Sequence, residues 1–439
     1  MNEILVAGMG KSGEWAVRLA LDNGFFCYVY DDRDLTMQGE LPEDLVSDER
    51  VEIVENIDET LLSKVNKTVI SPGFGPAHPV REMAGKVGQQ LISEIEFASG
   101  YCKGRVFAVT GSNGKTTVTG LTAHILETAG FPAVPCGNFG TAFSKAVLET
   151  GGKGDFVVEL SSFQLEHVKE FRPDFAALLN LTPDHLDRYP EVDEYYVAKM
   201  AMFRNMDEKT PALLNGDDRI TAAYERFFPP NTKWIGQDID SFVQIVPDAL
   251  VYRGKKLISL AETRLRGLHN LYNAGFCAGM CLLGGVSPEK VREGIISFHP
   301  IPHRLENVGE KRGIQFYNDS KATNFDSVVK ALSSFSAIHW IAGGRFKGGD
   351  FGELAEAGKG RVIGAYFIGE SASRFMKNLG GSFPCRISET LEQAVSDAWR
   401  AAKPGEVILL APGCSSYDQF KNYEIRGDRF REIANAINN

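Results

Sequence analysis

Short apolar and β-branched runs alternate along most of this chain with glycine-rich turns and amphipathic stretches. The first run, at residues 4–7, leads into Gly8-Met9-Gly10-Lys11-Ser12-Gly13, and a helical pattern follows through Leu21. A second run at 27–30 ends in Asp31-Asp32-Arg33, and a third at 68–70 ends in Ser71-Pro72-Gly73. Apolar runs of this length bounded by turn residues predict strands of a parallel sheet covered on both faces. The unit then restarts, with a strand over 105–109, a tight loop over 110–115 and a helix over 116–129. Strands at 156–158 and 176–179 and a helix over 193–206 continue it. Residues 298–302 hold two prolines in three positions and read as a linker and candidate hinge. Strands at 314–317, 338–342, 365–368 and 407–410 then alternate with helices. The expected architecture is three α/β domains with mainly parallel sheets, over 1–94, 95–298 and 299–439.

Composition narrows the class. A length of 439 residues suits about three domains. With 43% hydrophobic and 24% charged residues, the chain is not mainly disordered. No apolar run approaches the ~20 residues of a membrane span. The start, Met1-Asn2-Glu3-Ile4, lacks the basic flank of a secretory signal. Lys and Arg number 47 against 57 Asp and Glu, a net charge of −10. That balance argues against a nucleic-acid partner, because phosphate neutralisation supplies most such affinity. The seven cysteines are odd in number and form no CxxC pair, so all are expected as free thiols. A cytoplasmic monomer is the expectation.

The chemistry concentrates where strands end. Thr110-Gly111-Ser112-Asn113-Gly114-Lys115-Thr116-Thr117 lies between a strand and a helix. Its glycines let N–H groups turn inward, and the helix N-terminus favours an anion. Lys115 would reach the β- and γ-phosphates, and Thr116 would hold Mg²⁺. Val109 stands where the commonest phosphate-loop pattern has glycine, so the loop is a variant. Glu159, in Val158-Glu159-Leu160-Ser161-Ser162, follows the next strand, and a carboxylate there suits an oxygen-seeking cation. Asn180-Leu181-Thr182-Pro183-Asp184-His185-Leu186-Asp187-Arg188-Tyr189 puts two acids and a histidine after a third strand. The loop Gly8 to Gly13 fits G-x-G-x-x-G with Asp31 after the next strand, which taken alone points to a dinucleotide or another nucleotide-sized anion. Lys199, read alone, is a solvated lysine.

Three loops of the third domain also follow strands: 318–324, 343–350 and 411–418. Turn chemistry explains their glycines but not their lysines and hydroxyls, so they predict one ligand-facing rim.

Together these segments, with His269-Asn270, His303-Arg304-Leu305-Glu306, Asn318-Asp319-Ser320-Lys321-Ala322-Thr323-Asn324 and Asp418-Gln419-Phe420-Lys421-Asn422-Tyr423-Glu424, resemble the Mur ligases of bacterial cell-wall synthesis. The last two segments are similar to the branch that adds D-glutamate. The resemblance spans essentially the whole chain. It implies a Rossmann-like N-terminal domain, a P-loop ATPase-like central domain and a Rossmann-like C-terminal domain. It implies an ATP-dependent ligase with two Mg²⁺ ions, taking UDP-N-acetylmuramoyl-L-alanine and D-glutamate as substrates.

By that resemblance the N-terminal loop serves a uridine diphosphate rather than NAD. Gly10, Lys11, Ser12, Asp31, Asp32, Arg33, Gly73, Asn138 and Ser161 would contact the UDP-substrate. ATP would meet Gly111, Ser112, Asn113, Gly114, Lys115, Thr116 and Thr117, with Asn270 or Asn273 at adenine and Arg304 and Asp319 reaching in from the third domain. Thr116, Glu159, His185 and Lys199 would serve the metal ions, Lys199 as a carbamate. Carbamoylation turns an ammonium into an anionic oxygen donor, which suits a hard cation. Lys115, His185 and Lys199 would be the catalytic groups, and His303, Lys321, Thr323, Lys347, Ser416 and Tyr423 would bind D-glutamate.

Three rivals stand beside this reading. Another amide ligase, such as folylpolyglutamate synthetase, shares its chemistry. An NAD-dependent oxidoreductase built on Gly8 to Gly13 leaves Gly114-Lys115-Thr116 unexplained. A noncatalytic nucleotide-binding protein has no need of Glu159, His185 and Lys199 together.

Overall fold

Three separate sheets carry the chain, within residues 2–92, 105–259 and 306–410, in a computed structural model that describes residues 2–35, 41–185, 188–299 and 302–437. The first sheet has five parallel strands in the order Val51–Ile53, Phe25–Tyr30, Asn2–Ala7, Lys67–Ile70, Leu91–Ile92. Ala7 lies opposite both Tyr30 and Ile70, so the loops at 8–13, 31–35 and 71–74 gather at one edge.

The second sheet has nine strands. Seven are parallel: Ala133–Gly137, Asp155–Glu159, Arg105–Thr110, Phe175–Leu178, Ala212–Asn215, Thr232–Gly236 and Val243–Val246. Ala249–Tyr252 and Lys255–Ser259 extend it antiparallel. The register sets Val109 opposite both Glu159 and Ala177, and Gly137 opposite Glu159. Four strand ends therefore meet at one rim, the usual place for a ligand in such sheets. Strand Asp155–Glu159 is buried throughout, as a strand covered by helices must be.

The third sheet has six strands in the order Glu306–Lys311, Ile314–Asn318, Val407–Leu410, Ile338–Gly343, Val362–Ile368, Cys385–Glu389. All are parallel except the first. The α/β, mainly parallel expectation holds for all three sheets.

One hydrophobic core runs without a break from the first sheet into the second, through Ile4, Val6, Phe97, Phe143, Phe156 and Tyr195. The third sheet has its own cores. The first two units are therefore joined by packing, and the third meets them through polar contacts at its rim.

The strands missed from sequence include the very short Val51–Ile53 and Leu91–Ile92, the apolar Ala212–Asn215 and Ala249–Tyr252, and one polar strand. Glu306–Lys311, with the sequence ENVGEK, holds one β-branched residue and forms because it pairs with Ile314–Asn318. The helix expected over 193–206 runs only over Val192–Met200; a tight 3₁₀ turn at Ala201–Phe203 then buries Met202 and Phe203. The seven cysteines are free thiols. Among the described residues no helix is long and apolar enough to cross a membrane. Leu186 and Asp187, and Pro300 and Ile301 of the expected linker, lie outside the described residues.

Candidate active site

The phosphate loop is shaped by its glycines and clamped by its neighbour. Gly114 holds φ +86°, and a Cβ there would lie 2.4 Å from Asn273 Oδ1. Helix Lys115–Thr128 starts immediately after it. Ser112 N–H donates to Asn180 O (3.0 Å), and Asn113 N–H donates to Asn180 Oδ1 (2.9 Å). Ser112 Oγ donates to Thr182 O (2.8 Å). Lys115 Nζ folds back onto the carbonyls of Gly111 (2.8 Å) and Ser112 (2.9 Å). Burial lowers its pKa.

Glu159 faces this loop and is 1% exposed. Asn138 Nδ2 donates to its Oε1 (2.7 Å), while Oε2 is buried without a partner. Burial pushes the carboxyl up, yet Lys115, Lys321, Asn138 and Arg304 outweigh it and hold Glu159 below its ordinary range. Lys199, equally buried, donates to Gly111 O (3.0 Å) and lies 4.4 Å from the Tyr195 ring. Burial takes its ammonium well below the ordinary value. His185 sits at φ 55° beside Phe163 and Tyr195, and burial lowers its imidazole. Asp184 Oδ2 accepts from Asn324 of the third domain (3.1 Å).

The third domain supplies cations to the same point. Arg304 donates to Thr116 Oγ1 (2.6 Å), and Lys321 Nζ to the same oxygen (3.2 Å). Arg304 Nε is buried without a partner. Burial pushes Lys321 down to about 7 and Asp319 up to about 7. Lys321 lies 4.9 Å from the Tyr423 ring, and Lys347 is exposed yet close enough to bear on Asp184 and His185. Thr323 is half-buried and Ser416 buried. His303 stands behind Tyr423, its Nδ1 paired with Asn318 Nδ2 (3.0 Å). Arg426, 1% exposed, ties the rim loops together through Ser320 O (2.8 Å) and Cys414 O (3.2 Å).

Beside the phosphate loop, a cleft of about 450 Å³ runs between the second and third domains. Asn113, Gly114, His269, Tyr272, Asn273 and Lys330 line it. Asn270 borders an adjoining pocket with Arg304 and Asp319. Asn273 Nδ2 donates to Asn270 Oδ1 (2.9 Å).

Of the N-terminal residues, Asp31, Asp32 and Arg33 line a cleft of about 330 Å³, while Gly10, Lys11, Ser12 and Gly73 are not part of its lining. Asp31 Oδ2 accepts from Met9 N–H (2.6 Å), and its Oδ1 from Arg33 Nε (2.8 Å), so it shapes the glycine loop. Gly8 holds φ +102°, and a Cβ there would meet Ser71 Cβ at 2.2 Å. Gly10 caps the helix that Lys11 and Ser12 begin, and Gly73 N–H donates to Ser71 Oγ (3.2 Å). Ser161 caps helix Ser162–Leu165 in a box with Gln164.

Asn180 and Glu166 have no role in the sequence reading. Glu166 accepts from Arg188 (2.9 Å), Arg81 (3.2 Å) and Tyr189 OH (2.7 Å), and Arg188 donates to Pro72 O (2.9 Å). This network links the first domain to the second. Arg426 carried no local signal at all.

The site fits a polyphosphate with a divalent cation. Lys115, Arg304 and Lys321 converge around Thr116 and Glu159, and Glu159 offers an unpartnered buried oxygen. Among the described residues no three His, Cys, Asp or Glu form a ready cage, so a cation here needs phosphate oxygens and hydroxyls as well. A strand, a glycine loop and a helix facing a cationic rim from another domain define a nucleotide-using enzyme.

Residues 109–281 match the family model of the Mur ligase middle domain, and 303–414 that of the Mur ligase, glutamate ligase domain. The chain belongs to the Mur ligase family. The UDP-N-acetylmuramoylalanine–D-glutamate ligase of Geobacter metallireducens is 36% identical over 99% of this chain and 98% of its own. The enzyme of that name from Aquifex aeolicus is 35% identical over 98% of each. Among solved structures, a pseudomurein peptide ligase type C from Methanothermus fervidus covers the whole of both chains with a TM-score of 0.62 at 18% identity. MurF from Acinetobacter baumannii scores 0.63 at 17% identity, covering 98% of this chain and 90% of its own. These two share the fold.

Proposed function

We propose that the protein uses ATP to join the amine of D-glutamate to the alanine carboxylate of UDP-N-acetylmuramoyl-L-alanine, releasing ADP and phosphate in peptidoglycan precursor synthesis. One observation carries this reading: two basic side chains of the third domain, Arg304 and Lys321, meet at Thr116 of the second, beside the buried carboxylate of Glu159. The relatives of that name, aligned end to end, support the choice of substrates.

A carboxylate does not condense with an amine at neutral pH, because its oxygen is a poor leaving group. In this reading the substrate carboxylate attacks the γ-phosphate and becomes an acyl phosphate. The D-glutamate amine then attacks its carbonyl, and the tetrahedral oxyanion collapses by expelling phosphate. Two anions must approach in the first step. Lys115, Arg304 and the loop N–H groups offset that repulsion and stabilise the spreading charge. Thr116, Glu159, His185 and Lys199, the last as a carbamate, would hold two Mg²⁺ ions, which neutralise phosphate charge when bound. Burial lowers the His185 imidazole and so favours the neutral form, whose lone pair suits a metal or a proton. Lys321, Thr323, Lys347, Ser416 and Tyr423 would orient D-glutamate, with His303 supporting Tyr423 from behind. Lys11, Ser12, Asp31, Asp32, Arg33 and Gly73 would hold the UDP moiety.

Residues 1–94, 95–298 and 299–439 would each present one reactant, in a cytoplasmic monomer. Closure of the third domain would exclude water that hydrolyses the acyl phosphate. The deciding experiment is ADP release from ATP with UDP-N-acetylmuramoyl-L-alanine, with D-glutamate, L-glutamate or no amino acid, in Mg²⁺ and bicarbonate. Turnover that requires D-glutamate and the UDP-substrate supports the reading. Turnover with a different acceptor or amino acid sinks it.

A further inference from the structure

Helix Phe325–Ser333 belongs to the third domain, yet its first turn grips the second at two points. Its N-cap, Asn324, accepts from Ser327 N–H (2.9 Å) and donates to Asp184 Oδ2 (3.1 Å), next to His185. Ser327 Oγ donates to Asn113 Oδ1 (2.7 Å), and Asn113 Nδ2 donates to Asp326 Oδ2. Asp326 Oδ2 also accepts from Lys330 Nζ (2.8 Å), which presets the carboxylate.

Asn113 belongs to the phosphate loop and immediately precedes Gly114, whose left-handed backbone leads into the helix N-terminus. Its main chain is already clamped within its own domain by the Asn180 carboxamide (2.9 and 3.0 Å). Its side chain is held at Oδ1 by Ser327 and at Nδ2 by Asp326 and Thr182. Two of those three side-chain holds come from the other domain, so the side chain is fully engaged only while the third domain is docked. Ordinary interdomain packing explains a contact here. It does not explain a two-point polar grip on a phosphate-loop side chain, because an isolated polar pair at a surface contributes little to docking.

We propose that Asp326 and Ser327 are positioning residues: they fix the phosphate loop through Asn113 when the third domain closes. Closure then completes the alignment of the ATP phosphates, and the loop is less well aligned in the open enzyme. The inference rests on the reaction proposed above and adds to it a coupling between closure and phosphoryl transfer.

The test compares the full-length wild type with S327A, S327T and D326A. It measures steady-state kinetics with the three substrates and hydrogen exchange of loop residues 111–115. S327A and D326A are each expected to lower kcat about tenfold, the effect of one hydrogen bond realised mainly in the closed state. KM for the UDP-substrate should stay within about twofold, since that site is on the first domain. S327T keeps the hydroxyl and should restore kcat. Exchange at 111–115 should rise in S327A while exchange in helix Lys115–Thr128 beyond its first turn stays unchanged. A kcat within twofold of wild type in both variants overturns the proposal, as does S327T being as impaired as S327A. If the wild type turns over none of these substrates, the reaction fails but this proposal does not go untested. Loop exchange needs no turnover, and no change in it for S327A rejects the grip.

Discussion

Lys199 Nζ donates to the carbonyl of Gly111 at 3.0 Å, joining a fully buried amine to the glycine-rich loop. Among the described residues the lysine forms no ion pair, and burial favours its neutral form. A neutral amine is the form that reacts with carbon dioxide. Mass spectrometry of the intact protein in bicarbonate should show the carbamate on wild type and none at this position in K199A. K199A should lower kcat on the order of a hundredfold or more, as expected when a group that organises transition-state charge is removed. Full activity in K199A would remove the residue from the mechanism.

Gly114→Ala tests the loop's shape. The substitution forces an L side chain into φ +86° and sets its Cβ 2.4 Å from Asn273 Oδ1. The backbone strain alone is about 1–2 kcal/mol. KM for ATP should rise by about tenfold or more, while binding of the UDP-substrate alone, read by calorimetry, should be unaffected.

Glu166→Ala tests the joint between the first two domains. Arg188 and Arg81 would each lose their carboxylate partner in a largely buried setting, which costs about 3 kcal/mol. The thermal midpoint should fall. KM for the UDP-substrate should rise more than KM for ATP, because Arg188 also holds the Pro72 carbonyl beside Gly73.

Glu94→Gln tests a pH effect away from the chemistry. Glu94 is 3% exposed, accepts from Ser144 N–H at 2.5 Å through Oε1, and has no partner at Oε2. Burial raises its carboxyl from 4.5 to about 6. The folded chain thus binds this proton more tightly than the unfolded chain. That contribution to stability is full below pH 4.5 and is lost as pH rises through 6, leaving a cost of about 2 kcal/mol. E94Q should therefore be more stable than wild type at pH 8, with the difference shrinking towards pH 4. Urea denaturation at both values checks this.

Much of the site was legible because parallel sheets place chemistry in the loops after their strands. Thr110 to Thr117, Glu159, Asp184-His185 and Asn318 to Asn324 all follow apolar runs, and each could be read locally. The short edge strands could not, since Glu306–Lys311 is a strand only because Ile314–Asn318 lies beside it. Helix Val192–Met200 was expected to run on to 206, because nothing in its sequence announces the 3₁₀ turn at Ala201–Phe203.

The sequence by itself determined the alternating α/β architecture, the phosphate loop and the family, since these depend on periodicity and on residue order along the chain. Only the tertiary structure decided which charges meet. Thr116 and Arg304 are 188 positions apart and come within 2.6 Å, while Lys199, a solvated lysine when read alone, becomes fully buried at the loop. The same holds for Asp326 and Ser327 against Asn113, and for Arg426 between two rim loops. The physical reason is that burial and domain docking set the desolvation and partners of a side chain, and neither is written in its neighbours along the chain.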